Sequence, residues 1–257
     1  DALPIFTPER GMTAQNVLDF AARQRSLNFA PGSQQLYSNT GYVLLGEIVG
    51  RITGQRADRW MADKLFAPLG MADSRLNLDP AAVIAGKAQS YEGRSPEVSL
   101  ATGASTAVGG STSLVSSLDD LVRWVANLET GRVGGPGVLA LLAKPAVLPD
   151  GRTTGYAFGQ WHGLHRGLPS IGHLGLVAGF RTRIERFPDQ HAAIIFLSND
   201  GDDAAAIRRA RVSSHQRSST GHGPAHDRTA SVRPPRRGSR RSTGGRSTTS
   251  HAASSSR

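Results

Sequence analysis

The chain contains no cysteine, which removes disulfides and thiolate chemistry and leaves its redox compartment open. Lysine is nearly as scarce. It occurs only at positions 64, 87 and 144, against 27 arginines. No apolar run approaches the ~20 residues that a membrane-spanning helix needs. The chain opens at Asp1 with no Met, no basic n-region and no apolar h-region. No secretory leader is read there, and the start is expected to be the middle of something longer. Large apolar residues also run out toward the end. After Ile207 the only large aliphatics are Val212 and Val232, and there is no Phe, Tyr or Trp.

What is present divides into two unlike parts. A length of 257 residues accommodates one large domain or two small ones. The net charge of +10 suggests a nucleic-acid binder until the charges are located. Residues 1–205 carry 18 Lys+Arg and 19 Asp+Glu, whereas residues 206–257 carry 12 Arg and the single acid Asp227. The first part is nearly neutral and the basicity belongs to the tail. The expected organisation is a folded domain over 1–206 and a disordered Arg/Ser-rich tail over 207–257, since the tail lacks the apolar surface to offset the entropy of ordering. A basic tail for nucleic acid or an anionic membrane is one reading of it. The other is a frameshift, because Arg, Ser, Pro, Gly, His and Thr are what a G+C-rich coding sequence yields out of frame. The arginine bias of the whole chain favours the frameshift, and no specific nucleic-acid partner is expected.

Helical periodicity places a helix from Thr13 to about Gln24, with Val17, Leu18, Phe20 and Ala21 on its apolar side. A second spans Gly41 to Thr53. Its Leu45, Ile48, Val49 and Ile52 share a face, and Gly54 stops it. A third covers Ala57–Phe66. Residues 72–112 read as loops around a cleft. Ser117 and Asp120 resemble a capping box ahead of a helix with Leu118, Leu121, Val122, Val125 and Leu128 on one face. Gly131 to Gly137 reads as a turn. Tyr156–Trp161, Phe180–Phe187 and Ala192–Ser198 read as strands. Pro188-Asp189-Gln190 joins the last two so tightly that they must be antiparallel.

Two segments carry candidate chemistry. Phe29-Ala30-Pro31-Gly32 is a turn that delivers Tyr37-Ser38-Asn39 onto a helix start, followed by Thr40-Gly41-Tyr42. A phenol, a hydroxyl and a carboxamide together can move a proton and hold an amide. A free phenol titrates near pH ~10, so a tyrosine base needs a cation or donors beside it. Taken alone, Tyr-Ser-Asn is equally a helix N-terminus with Ser38 or Asn39 as cap and Tyr37 as a rim aromatic. The second segment is Gly172-His173-Leu174-Gly175-Leu176, then Gly179-Phe180-Arg181-Thr182. Its glycines let a substrate lie flat against a strand. His173 alone could equally be a core or edge-strand histidine, and Arg181 a solvated strand arginine. His162, His165, His173 and His191 lack a metal-ligand spacing, and the glycines at 109–110 and 131–137 do not match a phosphate loop. No metal and no organic cofactor is expected.

The Tyr37-Ser38-Asn39 context resembles the Tyr-x-Asn element of the penicillin-recognising serine hydrolases: class C β-lactamases, D-alanyl-D-alanine carboxypeptidases and related esterases. Gly172–Leu176 resembles the His-x-Gly form of their Lys-Thr-Gly strand. Phe66-Ala67-Pro68-Leu69-Gly70-Met71, Gly109–Leu114 before Asp119-Asp120-Leu121, and Phe196–Asp200 extend the resemblance over about residues 13–203. It implies a mixed α/β (α+β) fold, an antiparallel sheet flanked by helices plus a helical subdomain. It also implies two-step acyl transfer through an acyl-enzyme on an amide or ester, whether β-lactam, D-Ala peptide or carboxylic ester. In that scheme Tyr37 relays protons and His173 tunes the field at Tyr37. Asn39 binds the substrate's acylamide, Gly175 lies beneath the substrate, and the Leu176 N–H is one of two oxyanion donors. The implied partner is a small molecule or peptidoglycan-like substrate, and the implied location is outside the bacterial cytoplasm. The sequence does not indicate an oligomeric state.

Two departures matter. Leu174 stands where relatives that bind a substrate carboxylate carry Thr or Ser, which points away from β-lactam or D-alanyl carboxylates and toward an ester or another amide. The family's Ser-x-x-Lys is missing, because Met61, Ile84 and Leu141 stand three positions before the three lysines. The chain is therefore expected to be truncated at its N-terminus and inactive alone. The alternative is a non-catalytic penicillin-binding-like scaffold or binding protein.

Overall fold

The computed structural model describes residues 12–79, 81–94, 97–101 and 106–202. They all belong to one unit, residues 1–216; a second unit, 217–257, and the whole expected tail from residue 207 lie outside the described residues.

A short strand β1 (Met12–Thr13) leads into helix α1 (Ala14–Arg23). Thr13 caps it, accepting the Asn16 N–H while the Asn16 side chain reaches back to the Thr13 N–H. The Pro31-Gly32 turn forms as expected, with Ser33 N–H bonded to the Ala30 carbonyl and Gly32 at φ +80°. Helix α2 (Asn39–Thr53) starts two residues earlier than its periodicity indicates, because Ser38 Oγ caps it by accepting the Gly41 N–H at 3.1 Å. Gly54, in the left-handed region, ends it.

Helix α3 (Ala57–Met61) runs through a π-turn (Ala62–Phe66) into α4 (Ala67–Leu69). The stretch expected to be loops instead holds short paired strands. These are β2 (Arg75–Leu76), β3 (Tyr91–Arg94), β4 (Glu97–Leu100) and β5 (Thr106–Ala107), with β6 (Leu114–Val115) just beyond. β2 pairs with β6, β3 with β4, and β5 runs parallel to β1. Strands of two to four residues are too short for alternation to reveal them.

Helix α5 (Leu118–Thr130) is turned relative to its expected face: Asp120, Leu121 and Asn127 are buried, while Leu118 and Val122 are exposed. Asp120 is the reason. It is not the return half of a capping box. Its Oδ2 accepts the Asp73 N–H and the Ser74 hydroxyl at 2.8 and 2.9 Å, and its Oδ1 pairs with Arg123 at 2.9 Å. The carboxylate clips α5 to the loop after α4. Helix α6 (Gly135–Leu142) begins inside the segment expected to be a turn.

The remaining strands form one five-stranded antiparallel sheet in the order β11-β10-β9-β8-β7. They are β7 (Tyr156–Ala157), β8 (Gln160–His165), β9 (Leu168–Val177), β10 (Phe180–Phe187) and β11 (Ala192–Ser198). The expected strand Tyr156–Trp161 is thus two strands, reversed at Phe158-Gly159, where both φ angles are positive. α5 packs against β11.

Two apolar clusters anchor the helices. Val17, Val43 and Val108 form one; Phe66, Leu69 and Met71, with Met61, Leu65, Trp124 and Val133 against them, form the other. The apolar face read on α2 is not core among the described residues. Leu45, Ile48 and Ile52 are exposed, and Val43 is the buried side chain of that helix. Periodicity identifies which residues share a face but not what covers it. Among the described residues no helix is long and apolar enough to cross a membrane.

Candidate active site

The start of α2 and the middle of β9 meet. The backbone of Gly109-Gly110 lies directly on α2: a Cβ at Gly110 would sit 2.8 Å from the Tyr42 carbonyl carbon, and one at Gly46 would sit 3.3 Å from the Gly109 carbonyl oxygen. This glycine pair lets the loop seat α2, with Gly110 at φ +97°. Tyr37, just before α2, stands against the sheet at His173 and Tyr156.

Four aromatic rings gather there. The Tyr37 ring stacks on the His173 imidazole, with centroids 5.9 Å apart and planes 28° apart. Tyr156 meets Tyr37 edge-on at 6.1 Å and Trp161 at 4.7 Å. The Tyr156 hydroxyl is hydrogen-bonded to His173 Nε2 at 3.1 Å. Tyr37 donates its hydroxyl proton to Asn39 Oδ1 at 3.0 Å. Burial, then the nearby Tyr37 hydroxyl, raises the Tyr42 phenol above its ordinary range. Burial, then Tyr42 and Tyr37, pushes Tyr156 up to about 12. Both stay neutral phenols through the physiological range.

The structure therefore brings Tyr37, Asn39 and His173 together. Tyr156, which the sequence did not single out, stands in the same ring cluster. Tyr156 lies in a two-residue strand whose proximity to His173 follows from sheet register, Tyr156 opposite Trp161 and Trp161 opposite Gly172. No local motif encodes that relay of pairings.

Gly175 and Leu176 lie on β9 opposite Thr182 and Arg181. The pairing of β8 with β9 ends at Gly172, so no β8 residue is opposite His173 through Val177. A side chain at Gly175 would collide with the Thr182 hydroxyl, and one at Gly172 with the Ile184 carbonyl. Backbone packing thus demands glycine at 172 regardless of any ligand, whereas at 175 the obstacle is only the Thr182 side chain. Gly179 sits at the β9–β10 reversal against the Tyr91 backbone rather than under the cleft. Arg181 is not a solvated strand arginine. Its guanidinium donates to the carbonyls of Ala178, Phe180 and Gly201. Leu174 is exposed on the face opposite His173. An open cavity of about 420 Å³ is lined by Ser33, Gln34, Gln35, Leu148, Arg152, Thr153 and Thr154, none of them one of the four rings. Arg152 is held there by Asp150 at 2.7 Å and by the Ser33 carbonyl.

The antiparallel sheet flanked by helices is the penicillin-recognising serine hydrolase fold, as the family match and the solved structures it resembles show. The chain belongs to the Beta-lactamase family, whose profile matches residues 3–217. It is 28% identical over 204 residues to a D-aminopeptidase of Brucella ovis (strain ATCC 25840 / 63/290 / NCTC 10512), covering 78% of this chain and 38% of that protein. The chain thus spans about two fifths of the length of the curated relatives it matches. It resembles the crystal structure of a D-amino acid amidase from Ochrobactrum anthropi SV3 with a TM-score of 0.66 and 25% identity, over 83% of this chain and 67% of that one. A penicillin-binding protein from Bacillus halodurans shares the fold, with a TM-score of 0.66 at 18% identity over 83% of this chain and 66% of that one.

Proposed function

We propose that this chain forms the proton-transfer and substrate-binding wall of a serine acyl-transfer site, acting on the amide of an amino-terminal D-amino acid. The observation that carries it is the stacking of Tyr37 on His173, which joins two motifs far apart in the sequence. The D-aminopeptidase relatives support the choice of substrate class.

In this mechanism a serine attacks the amide carbonyl, and the Leu176 N–H holds the developing oxyanion. One such fixed donor is worth about 2.7–4 kcal/mol of barrier. The open edge of β9 beyond Gly172 is where a substrate amide would lie, over Gly175. Tyr37 carries the proton from the serine toward the leaving amine, and Asn39 holds the Tyr37 hydroxyl and contacts the substrate's amino-terminal residue. His173 sets the field at Tyr37. Water then releases the acyl group. The serine and its lysine are supplied by polypeptide outside these 257 residues, since Ser-x-x-Lys does not occur in them.

That same missing motif favours a second reading, a non-catalytic binding scaffold. One experiment separates the two. The chain is joined behind the Ser-x-x-Lys segment of a D-aminopeptidase, and ammonia release from D-phenylalanine amide is measured. Turnover that depends on the added serine supports the enzyme. A folded fusion that binds the amide without turning it over supports the scaffold, and one that does neither rejects both.

A further inference from the structure

Tyr156 offers a hydroxyl that the mechanism above does not use. The residue is 8% exposed, and its ring is wedged against Trp161, Tyr37 and His173. A buried hydroxyl must donate to some acceptor or lose the full cost of its desolvation. Among the described residues the polar atom recorded against the Tyr156 hydroxyl is His173 Nε2, at 3.1 Å. An imidazole nitrogen can accept only when its proton sits on the other nitrogen.

We propose that Tyr156 is a positioning residue that donates its hydroxyl proton to His173 Nε2, fixing the neutral imidazole as the Nδ1–H tautomer and locking its plane against Tyr37. The proposal rests on the reading of His173 as a site residue. Three features of the structure argue for this direction of the bond. The elevated Tyr156 pKa keeps the phenol protonated and able to donate at every pH at which an acyl-transfer site operates. The reverse direction, His173 Nε2–H donating to the phenol oxygen, would leave the Tyr156 proton without an acceptor among the described residues. The ring contacts leave the phenol little freedom to turn elsewhere, since it is held edge-on at 4.7 Å by Trp161 from the next strand.

The consequence is functional as well as structural. With Nε2 occupied by Tyr156, His173 cannot take the proton that Tyr37 carries through that nitrogen. Its part is then electrostatic orientation rather than proton relay.

The test uses the chain as it stands, with ¹⁵N-labelled histidine and long-range ¹H–¹⁵N correlation spectra at pH 8. His173 is assigned by the loss of its signals in His173→Gln. The expected spectrum has Nδ1 in the protonated, pyrrole-like range and Nε2 in the unprotonated, pyridine-like range. Tyr156→Phe should move His173 to the Nε2–H tautomer or to an exchange average. A wild-type Nε2–H tautomer, or the same tautomer in wild type and Tyr156→Phe, overturns the proposal. If Tyr156→Phe does not fold, the wild-type spectrum alone decides. No substrate is involved, so a wrong tautomer removes the Tyr156 clamp and leaves the acyl-transfer reading to stand or fall on the fusion assay.

Discussion

The Tyr37 hydroxyl donates to Asn39 Oδ1 at 3.0 Å, across a single intervening residue that caps the same helix. The Tyr-x-Asn spacing is thereby explained. Ser38 turns its side chain into the helix end, and the side chains on either side of it meet each other. A serine at the centre of the triplet that looks catalytic is a cap.

This division of labour sets the first expectation. In a fusion supplied with the nucleophile, Tyr37→Phe should lower kcat by about 10²–10⁴-fold, the usual worth of acid–base help, with the fold intact because the ring remains. Asn39→Ala should be milder and appear mainly in KM. Steady-state hydrolysis of D-phenylalanine amide checks both, and wild-type kcat in Tyr37→Phe would reduce Tyr37 to a rim aromatic.

The chain alone should not hydrolyse amides, esters, penicillins or cephalosporins above background, since it has no Ser-x-x-Lys to acylate. Incubation with a fluorescent penicillin followed by mass spectrometry is the measurement. A covalent adduct at any residue would contradict the assignment of the nucleophile to other polypeptide.

Alkali should destabilise the folded chain through the tyrosine cluster. Tyr42 and Tyr156 titrate higher in the fold than in the unfolded chain. Their contribution is complete below the unfolded value of ~10 and is lost as the pH climbs toward the folded value, about 12 for Tyr156. Melting temperatures between pH 9 and 12 should fall, and Tyr156→Phe should flatten that fall. Ultraviolet titration should show tyrosine ionising late, and a single ordinary transition for all the tyrosines would contradict the burial argument.

The acid side has its own group. Burial, then the neighbouring Arg186, lowers the His162 pKa, and its Nε2 is buried with no hydrogen-bond partner among the described residues. The neutral form is the one the fold accepts. His162 therefore contributes stability above the unfolded value of ~6.5, and this is lost as the pH falls through the lowered folded value. His162→Gln should weaken the dependence of melting temperature on pH between 7.5 and 5.

Asp120→Ala should cost about 3 kcal/mol. It removes a buried carboxylate and leaves the Asp73 N–H, the Ser74 hydroxyl and Arg123 without that partner. Urea denaturation gives the number. A loss under about 0.5 kcal/mol, the usual range of a surface substitution, would show that the clip between α5 and the α4 loop holds nothing.

Local chemistry made much of this protein legible before any fold was known. Thr13, Ser38 and Ser117 announce helix starts because their hydroxyls accept from backbone N–H groups within the same turn. Gly54 and Gly131 announce ends because the left-handed conformation suits glycine. The Pro31-Gly32 turn, the Pro188–Gln190 reversal and the antiparallel β10–β11 pair follow from the same short-range rules. So did the pairing of Tyr37 with Asn39 at one helix mouth.

Only the tertiary structure decided the rest, because the deciding partners lie far along the chain. Asp120 turns α5 toward Asp73 and Ser74, against the apolar pattern of the helix. Gly110 is needed where it touches Tyr42, and Gly172 where it meets Ile184. Leu45, Ile48 and Ile52 share a face by periodicity, yet that face is exposed among the described residues. Tyr156 enters the ring cluster through two steps of strand register, a relation carried by backbone hydrogen bonds between strands and by no residue pattern near either end.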